Sequence, residues 1–183
     1  SCVTGVGYQA INDLIAYRIN AGGVVEIDVA EGDLYLGRIT SGDSVDLRAA
    51  SDILDYFNDA GQPVVNIFTG NVPGSGDVYL QTTTGNVGAA SNFVDVKIVK
   101  GDLNADIDED GFINSVTDLN IGYVESDDGN ITLIVDGLAN VGQIVANGDG
   151  FASQGSNGVV TINNNIDGVV TIQAASNIVD RYD

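Results

Sequence analysis

The chain has 183 residues, with 26 Asp+Glu against six Lys+Arg and no His, Met or Trp. A formal charge of −20 repels phosphate backbones and anionic headgroups, which sets nucleic acid and acidic membranes aside as partners. The lack of His, together with a lone Cys2, excludes Ser–His and Cys–His nucleophile systems, His/Cys zinc sites and an internal disulfide.

A hydrophobic content of 44% is too high for a disordered acidic tail. Glycine at 24 residues against two prolines suits short strands joined by tight corners. No apolar run approaches the ~20 residues needed to span a bilayer. No signal peptide is visible, so the chain reads as mature, intracellular or cut from something longer. Ser1 ahead of Cys2 argues against a lipidated cysteine and for a mobile or interchain thiol.

The first 23 residues read as a separate N-terminal segment. In GYQAINDLIAYRIN at 7–20, Ile11, Leu14, Ile15 and Ile19 share one helical stripe, stopped by Gly22 and Gly23. That spacing predicts a helix covering the open end of a strand stack; a strand-and-loop coil is the alternative. From residue 24 to 183 the text changes to short alternating strands. VVEIDVA, DLYLGRIT and SVDLRAA alternate apolar and polar residues and turn at EGD or SGD. Residues 51–61 read as a strand start followed by an irregular loop, with a short Ser51-capped helix as the other option. Residues 64–68, 78–82 and 94–99 read as strands. An acidic segment, GDLNADIDEDGFINSVTD at 101–118, reads as a loop insertion. Strands resume at 119–124 and 131–135, and GVVTI at 158–162 returns at 168–172, as two faces of one coil.

Longer words also return. AASDILD at 49–55 comes back as AASNFVD at 89–95 and AASNIVD at 174–180, with starts 40 and 85 residues apart. DLYLGRI at 33–39 comes back as DLNIGYV at 118–124, again 85 residues on. Both offsets divide into units of about 20–21 residues, the period of a solenoid whose repeats bury their apolar faces only against neighbours. The expected fold is an all-β right-handed parallel β-helix with the AAS words stacked at one corner. An immunoglobulin-like β-sandwich is the runner-up, and it does not account for the shared offset.

The words DLYLGRITSGDSVDLRAASDILD, DLNIGYVESDDGNITL and GNVGAASNFVDVKI resemble the filamentous-haemagglutinin-like regions of large repetitive bacterial surface adhesins. The resemblance runs over roughly residues 24–180. It implies a right-handed parallel β-helix and an extracellular, cell-surface, structural or adhesive role. It further implies neighbouring repeats, cell-surface glycans or proteins as partners. The N-terminal stretch departs from the pattern and leaves open a free-standing subunit, which would assemble end to end into a filament.

The sharpest chemical signal is DIDEDGFIN at 106–114. Oxygen ligands at alternate positions, a glycine and an apolar anchor describe a calcium loop of the EF-hand or dockerin kind. The candidate ligands are Asp106, Asp108, Asp110, the Phe112 carbonyl and Asn114. Thr117 stands where a closing carboxylate belongs, and Asp118 is the candidate to replace it. Four acids in one turn repel one another unless a divalent cation intervenes. Asp127, Asp128 and Asn130 form a weaker cluster, and NGDG at 147–150 reads as a turn. No catalytic set stands out, so the chain reads as non-enzymatic. The competing enzyme reading is a polysaccharide lyase on the same scaffold, with Arg38 and Arg48 brought together as its basic groups. The seven tyrosines offer stacking surface for glycans, with Tyr35 and Tyr79 facing outward.

Overall fold

Successive strands feed two sheets in turn. The structure, a computed structural model, describes residues 5–57, 64–70, 76–146, 159–162 and 170–180. The first sheet runs, in spatial order, β1 (Gly5–Ala10), β3 (Val24–Val29), β5 (Val45–Ala49), β8 (Val78–Thr82), β10 (Leu103–Ile107), β12 (Leu119–Ser126), β14 (Ala139–Ala146) and β17 (Ile178–Asp180). The second runs β2 (Leu14–Ala21), β4 (Leu34–Ser41), β7 (Ile67–Thr69), β9 (Val94–Ile98), β11 (Gly111–Ser115), β13 (Ile131–Val135), β16 (Val170–Ala174) and β15 (Val159–Ile162). β6 (Ile53–Asp55) also pairs with β4. Among the described strands, pairing is parallel except between β15 and β16.

The register carries the expected period. Leu14 pairs with Leu34, Val25 with Val45, Gly111 with Ile131 and Leu119 with Ala139, each twenty residues on. Longer steps also occur, as from Leu47 to Leu80.

Alternation fills the space between the sheets. β3 buries Val25, Ile27 and Val29 and leaves Glu26 and Asp28 outside. Above Ile27 sit Leu47, Leu80 and Ala105 in register. Burying one such Leu or Ile side chain contributes roughly 1.5–3 kcal/mol.

Four eight-residue strands, β2, β4, β12 and β14, are bent. In β4 the inward set is Leu34 and Leu36, then Ile39 and Ser41, a change of phase that a straight strand cannot make. Gly37 sits at that bend, where a Cβ would run into the Tyr17 carbonyl of the neighbouring strand. Gly122 and Gly142 hold the same place in β12 and β14.

Polar side chains tie the corners. The Asp33 amide donates to Asp13 Oδ1 (3.0 Å), the Asp52 amide to Asp33 Oδ1 (3.2 Å) and the Asn86 amide to Asp52 Oδ1 (2.6 Å). The column continues from Asp110 N–H to Asn86 Oδ1 (3.0 Å) and from Asn130 N–H to Asp110 Oδ1 (2.7 Å). Elsewhere buried hydroxyls serve. Ser126 Oγ donates to the Glu109 carbonyl (2.6 Å) and accepts from the Gly129 amide (2.9 Å).

Several expectations need correcting. Residues 7–20 form no helix; they supply most of β1 and all of β2 but its last residue. The stripe fails because Ile11 and Ile15 are 70% and 54% exposed, while Ala16 and Ala21 point inward. Pairing with β3 and β4 satisfies the backbone better than a short helix with solvent on its apolar side. Residues 101–118 are not an inserted loop, since β10 and β11 are ordinary rungs paired on both sides. The two GVVTI words pair antiparallel at the edge of the second sheet rather than occupying two faces of one coil.

Nor do the AAS words stack. The first joins β5 in the first sheet to β6 in the second, the second leads into β9, and the third joins β16 to β17 in the opposite sense. The DL words behave alike, as β4 and β12 lie in different sheets. The physical unit is a strand plus a corner. Both corners need the same small, polar and apolar sequence of residues, so one word serves either.

Candidate functional site

Two outward faces carry side chains able to do chemistry. On the first sheet, one column reads Glu26, Asp46, Tyr79, Asn104, Tyr123 and Gln143 across neighbouring strands. The adjacent column reads Asp28, Arg48, Gln81, Asp106 and Glu125. Strand alternation aims both columns at solvent, since the residues between them form the core.

Local bonds order this strip. Arg48 donates to Asp46 through Nε (3.1 Å) and Nη2 (2.7 Å), and the pair raises the guanidinium pKa. With the two side chains 57% and 27% exposed, such a pair is worth about 1 kcal/mol or less. Its effect is to orient the arginine. Gln81 Nε2 donates to Asp106 Oδ2 at 3.0 Å. Tyr79 donates to Asp77 Oδ2 at 3.3 Å, and Tyr123 donates to Glu125. Partial burial and then Asp77 raise the Tyr79 pKa; the Glu125 hydrogen bond leads in pushing Tyr123 up to about 12. Between these side chains lies an open cavity of about 390 Å³, lined by Asp46, Arg48, Tyr79, Asn104, Tyr123 and Glu125.

At the corner after β10 the acids crowd. Burial first, then Glu125, Asp106, Asp108 and Asp128, raise the pKa of Asp127. The six predicted calcium ligands divide here. Asp106 is on the outer face of β10, and Asp108 and Asp110 lie in the turn that follows. Asp110 Oδ1 accepts from the Asn130 backbone and side chain at 2.7 and 3.1 Å. Phe112 and Asn114 belong to β11 in the second sheet, where Asn114 bonds Asp95 and the Phe112 ring meets Phe93 at 5.7 Å. Asp118 sits at the next corner and accepts from the Leu138 amide at 2.8 Å. The structure thus spreads the six over β10, the turn after it, β11 and the next corner. Among the described residues, no group of three or more carboxylates is placed to hold a metal ion.

The second sheet presents a different face. Arg18 and Arg38 are register partners on β2 and β4. Tyr17, Tyr56 and Phe57 form an aromatic cluster beside them, with ring centroids 5.5–6.0 Å apart. Arg38 and Arg48 therefore lie on opposite sheets rather than together. The tyrosine pairing and the aromatic cluster were not foreseen. The signal for the first was spacing within the rungs: Tyr79 and Tyr123 occupy the same strand position two rungs apart.

Cys2, the 147–150 turn, Arg181 and Tyr182 lie outside the described residues. Among the described residues, no helix is long and apolar enough to cross a membrane. No protein-family model, curated protein or solved structure matches the chain. What the fold defines is a class: an all-β chain of two parallel sheets, built rung upon rung.

Proposed function

We propose that this chain is a stretch of right-handed parallel β-helix acting as an extracellular structural and adhesive element, with the first-sheet strip as its contact surface. The observation that carries this reading is the in-register run from Glu26 to Gln143, which displays Tyr79 and Tyr123 among carboxylates on one ordered face. An acidic face with one exposed ring, Tyr79, and one half-buried ring, Tyr123, fits a positively charged protein segment. Carboxylates attract it over several ångströms, and tyrosine faces hold ammonium or guanidinium groups by about 0.5–2 kcal/mol each. The role is non-catalytic in this reading, and the separation of Arg38 from Arg48 supports it over the lyase alternative. Calcium belongs to it as a loosely held counter-ion that relieves the repulsion among Asp127, Glu125, Asp106, Asp108 and Asp128 without a preformed ligand cage.

The test uses a lysine-rich peptide titrated against the protein at two salt concentrations. Binding should weaken with salt. It should also fall several-fold in Tyr79→Ala and Tyr123→Ala, which leave the net charge unchanged. Binding indifferent to both tyrosines would reduce the strip to a diffuse acidic surface.

A further inference from the structure

We infer that the second sheet carries a separate site for a carboxylate-bearing saccharide, built from Arg18, Arg38 and the aromatic cluster of Tyr17, Tyr56 and Phe57. The inference goes beyond the adhesive reading, because it concerns the opposite face and the opposite charge.

Two arginines stand beside each other instead of beside an acid. The chain has only six basic residues against 26 acids, so an arginine has many carboxylates to pair with, as Arg48 does with Asp46. Arg18 and Arg38 instead occupy partner positions on adjacent parallel strands, about 4.8 Å apart in backbone spacing. Neither forms an ion pair or hydrogen bond with a described residue, and both are exposed. Like charges directly opposite one another on a sheet destabilise it. The arrangement becomes favourable when an anion lies between the guanidiniums, whose planar donors match a carboxylate.

The surroundings narrow the anion. A cavity of about 460 Å³ lies here, bounded by Tyr17, Arg18, Asn20, Arg38, Thr40 and Phe57. Tyr17 is 59% exposed and is held edge-on by Tyr56 at 5.7 Å. An exposed, braced ring offers an apolar face at little entropic cost. Asn20 and Thr40, themselves register partners, add hydroxyl-scale donors and acceptors along the same column. Two guanidiniums, a ring face and short polar side chains together fit a sugar ring bearing a carboxylate. A bare inorganic anion would leave the rings unused. A neutral sugar would leave the charges unanswered.

The test is a titration with a matched pair of disaccharides, cellobiouronic acid and cellobiose, which differ by one carboxylate, with sodium sulfate as a third arm. Cellobiouronic acid should bind at least about tenfold more tightly than either other compound, the difference of one charge-assisted contact. Arg18→Gln and Arg38→Gln should each weaken it about tenfold. Tyr17→Leu should weaken it several-fold. Arg48→Gln, on the other sheet, should leave it unchanged. Thermal melts of the variants establish that each is folded. Equal binding of the two disaccharides, sulfate binding as tightly as the uronate, or retention of affinity in both arginine variants would overturn the inference, as would no binding at all.

Discussion

Asn66 and Asp55 meet through a buried hydrogen bond of 2.5 Å at the place where β4 changes partner from β6 to β7. Asn66 is fully buried. Its amide also donates to the Leu36 and Gly37 carbonyls at 3.0 and 3.2 Å, and its oxygen accepts from the Asp95 amide at 2.7 Å. One side chain thus ties β4, the end of β6 and the start of β9 together. Asn66→Ala strands several polar groups, each costing about 1–3 kcal/mol. A denaturant titration should show a loss of about 3 kcal/mol or more. A loss below about 1 kcal/mol would mean that water already serves those groups.

The corner column makes a more local prediction. Asn86 Oδ1 receives the Asp110 amide, so Asn86→Ala should cost about 1–2 kcal/mol. Hydrogen exchange at the Asp110 amide should accelerate, while the Val45 amide, bonded to the Asp77 carbonyl, should keep its protection. Equal acceleration at both would point to global loosening instead of a local tie.

Asp127 sets a pH dependence. Its pKa is raised by burial and by neighbouring acids, so the folded state keeps a proton that the unfolded chain has already lost. Between the ordinary carboxylate value and the raised one, stability therefore falls as pH rises. Asp127→Asn should raise Tm at neutral pH and flatten that slope. Calcium should imitate the substitution, with Kd on the order of 10⁻⁴–10⁻³ M, and should do less in Asp127→Asn. A melt unchanged by calcium in the parent protein would remove the cation from this corner.

Tyr123 sets another at the alkaline end. Its pKa of about 12 lies above that of a tyrosine in the unfolded chain, so stability held below the unfolded value is lost as pH rises toward the folded one. Ultraviolet titration should show one tyrosine ionising last, behind the also raised Tyr35 and Tyr79, and Glu125→Gln should bring it forward. Titration of every tyrosine together would contradict the hydrogen bond to Glu125.

The fold was legible because period survives in the text. Strand alternation located β8 and β13 to the residue, and the twenty-residue step appears directly in the pairing of Leu14 with Leu34. What misled was the meaning of the recurring words. DLYLGRI and DLNIGYV encode a bent strand with glycine at the bend, and nothing in seven residues says which sheet receives it. The acidic stretch hid its strands differently. Asp102, Asp110 and Asp118 each stand directly before the first buried residue of a strand, as do Asp33, Asp52, Asp77 and Asn130. In that setting a carboxylate is a corner tie, and a calcium loop shares the same spacing of acids and apolar residues. The Arg18–Arg38 pair was out of reach because it depends on β2 being a strand.

The reversed direction of β15 also bears on its neighbour. Among the described residues the other strands of the second sheet pair in parallel, whereas β15 meets β16 antiparallel. Parallel ladders space their hydrogen bonds evenly and on a slant, while antiparallel ones alternate narrow and wide pairs. β16 therefore carries two different ladders, one on the edge facing β13 and another on the edge facing β15.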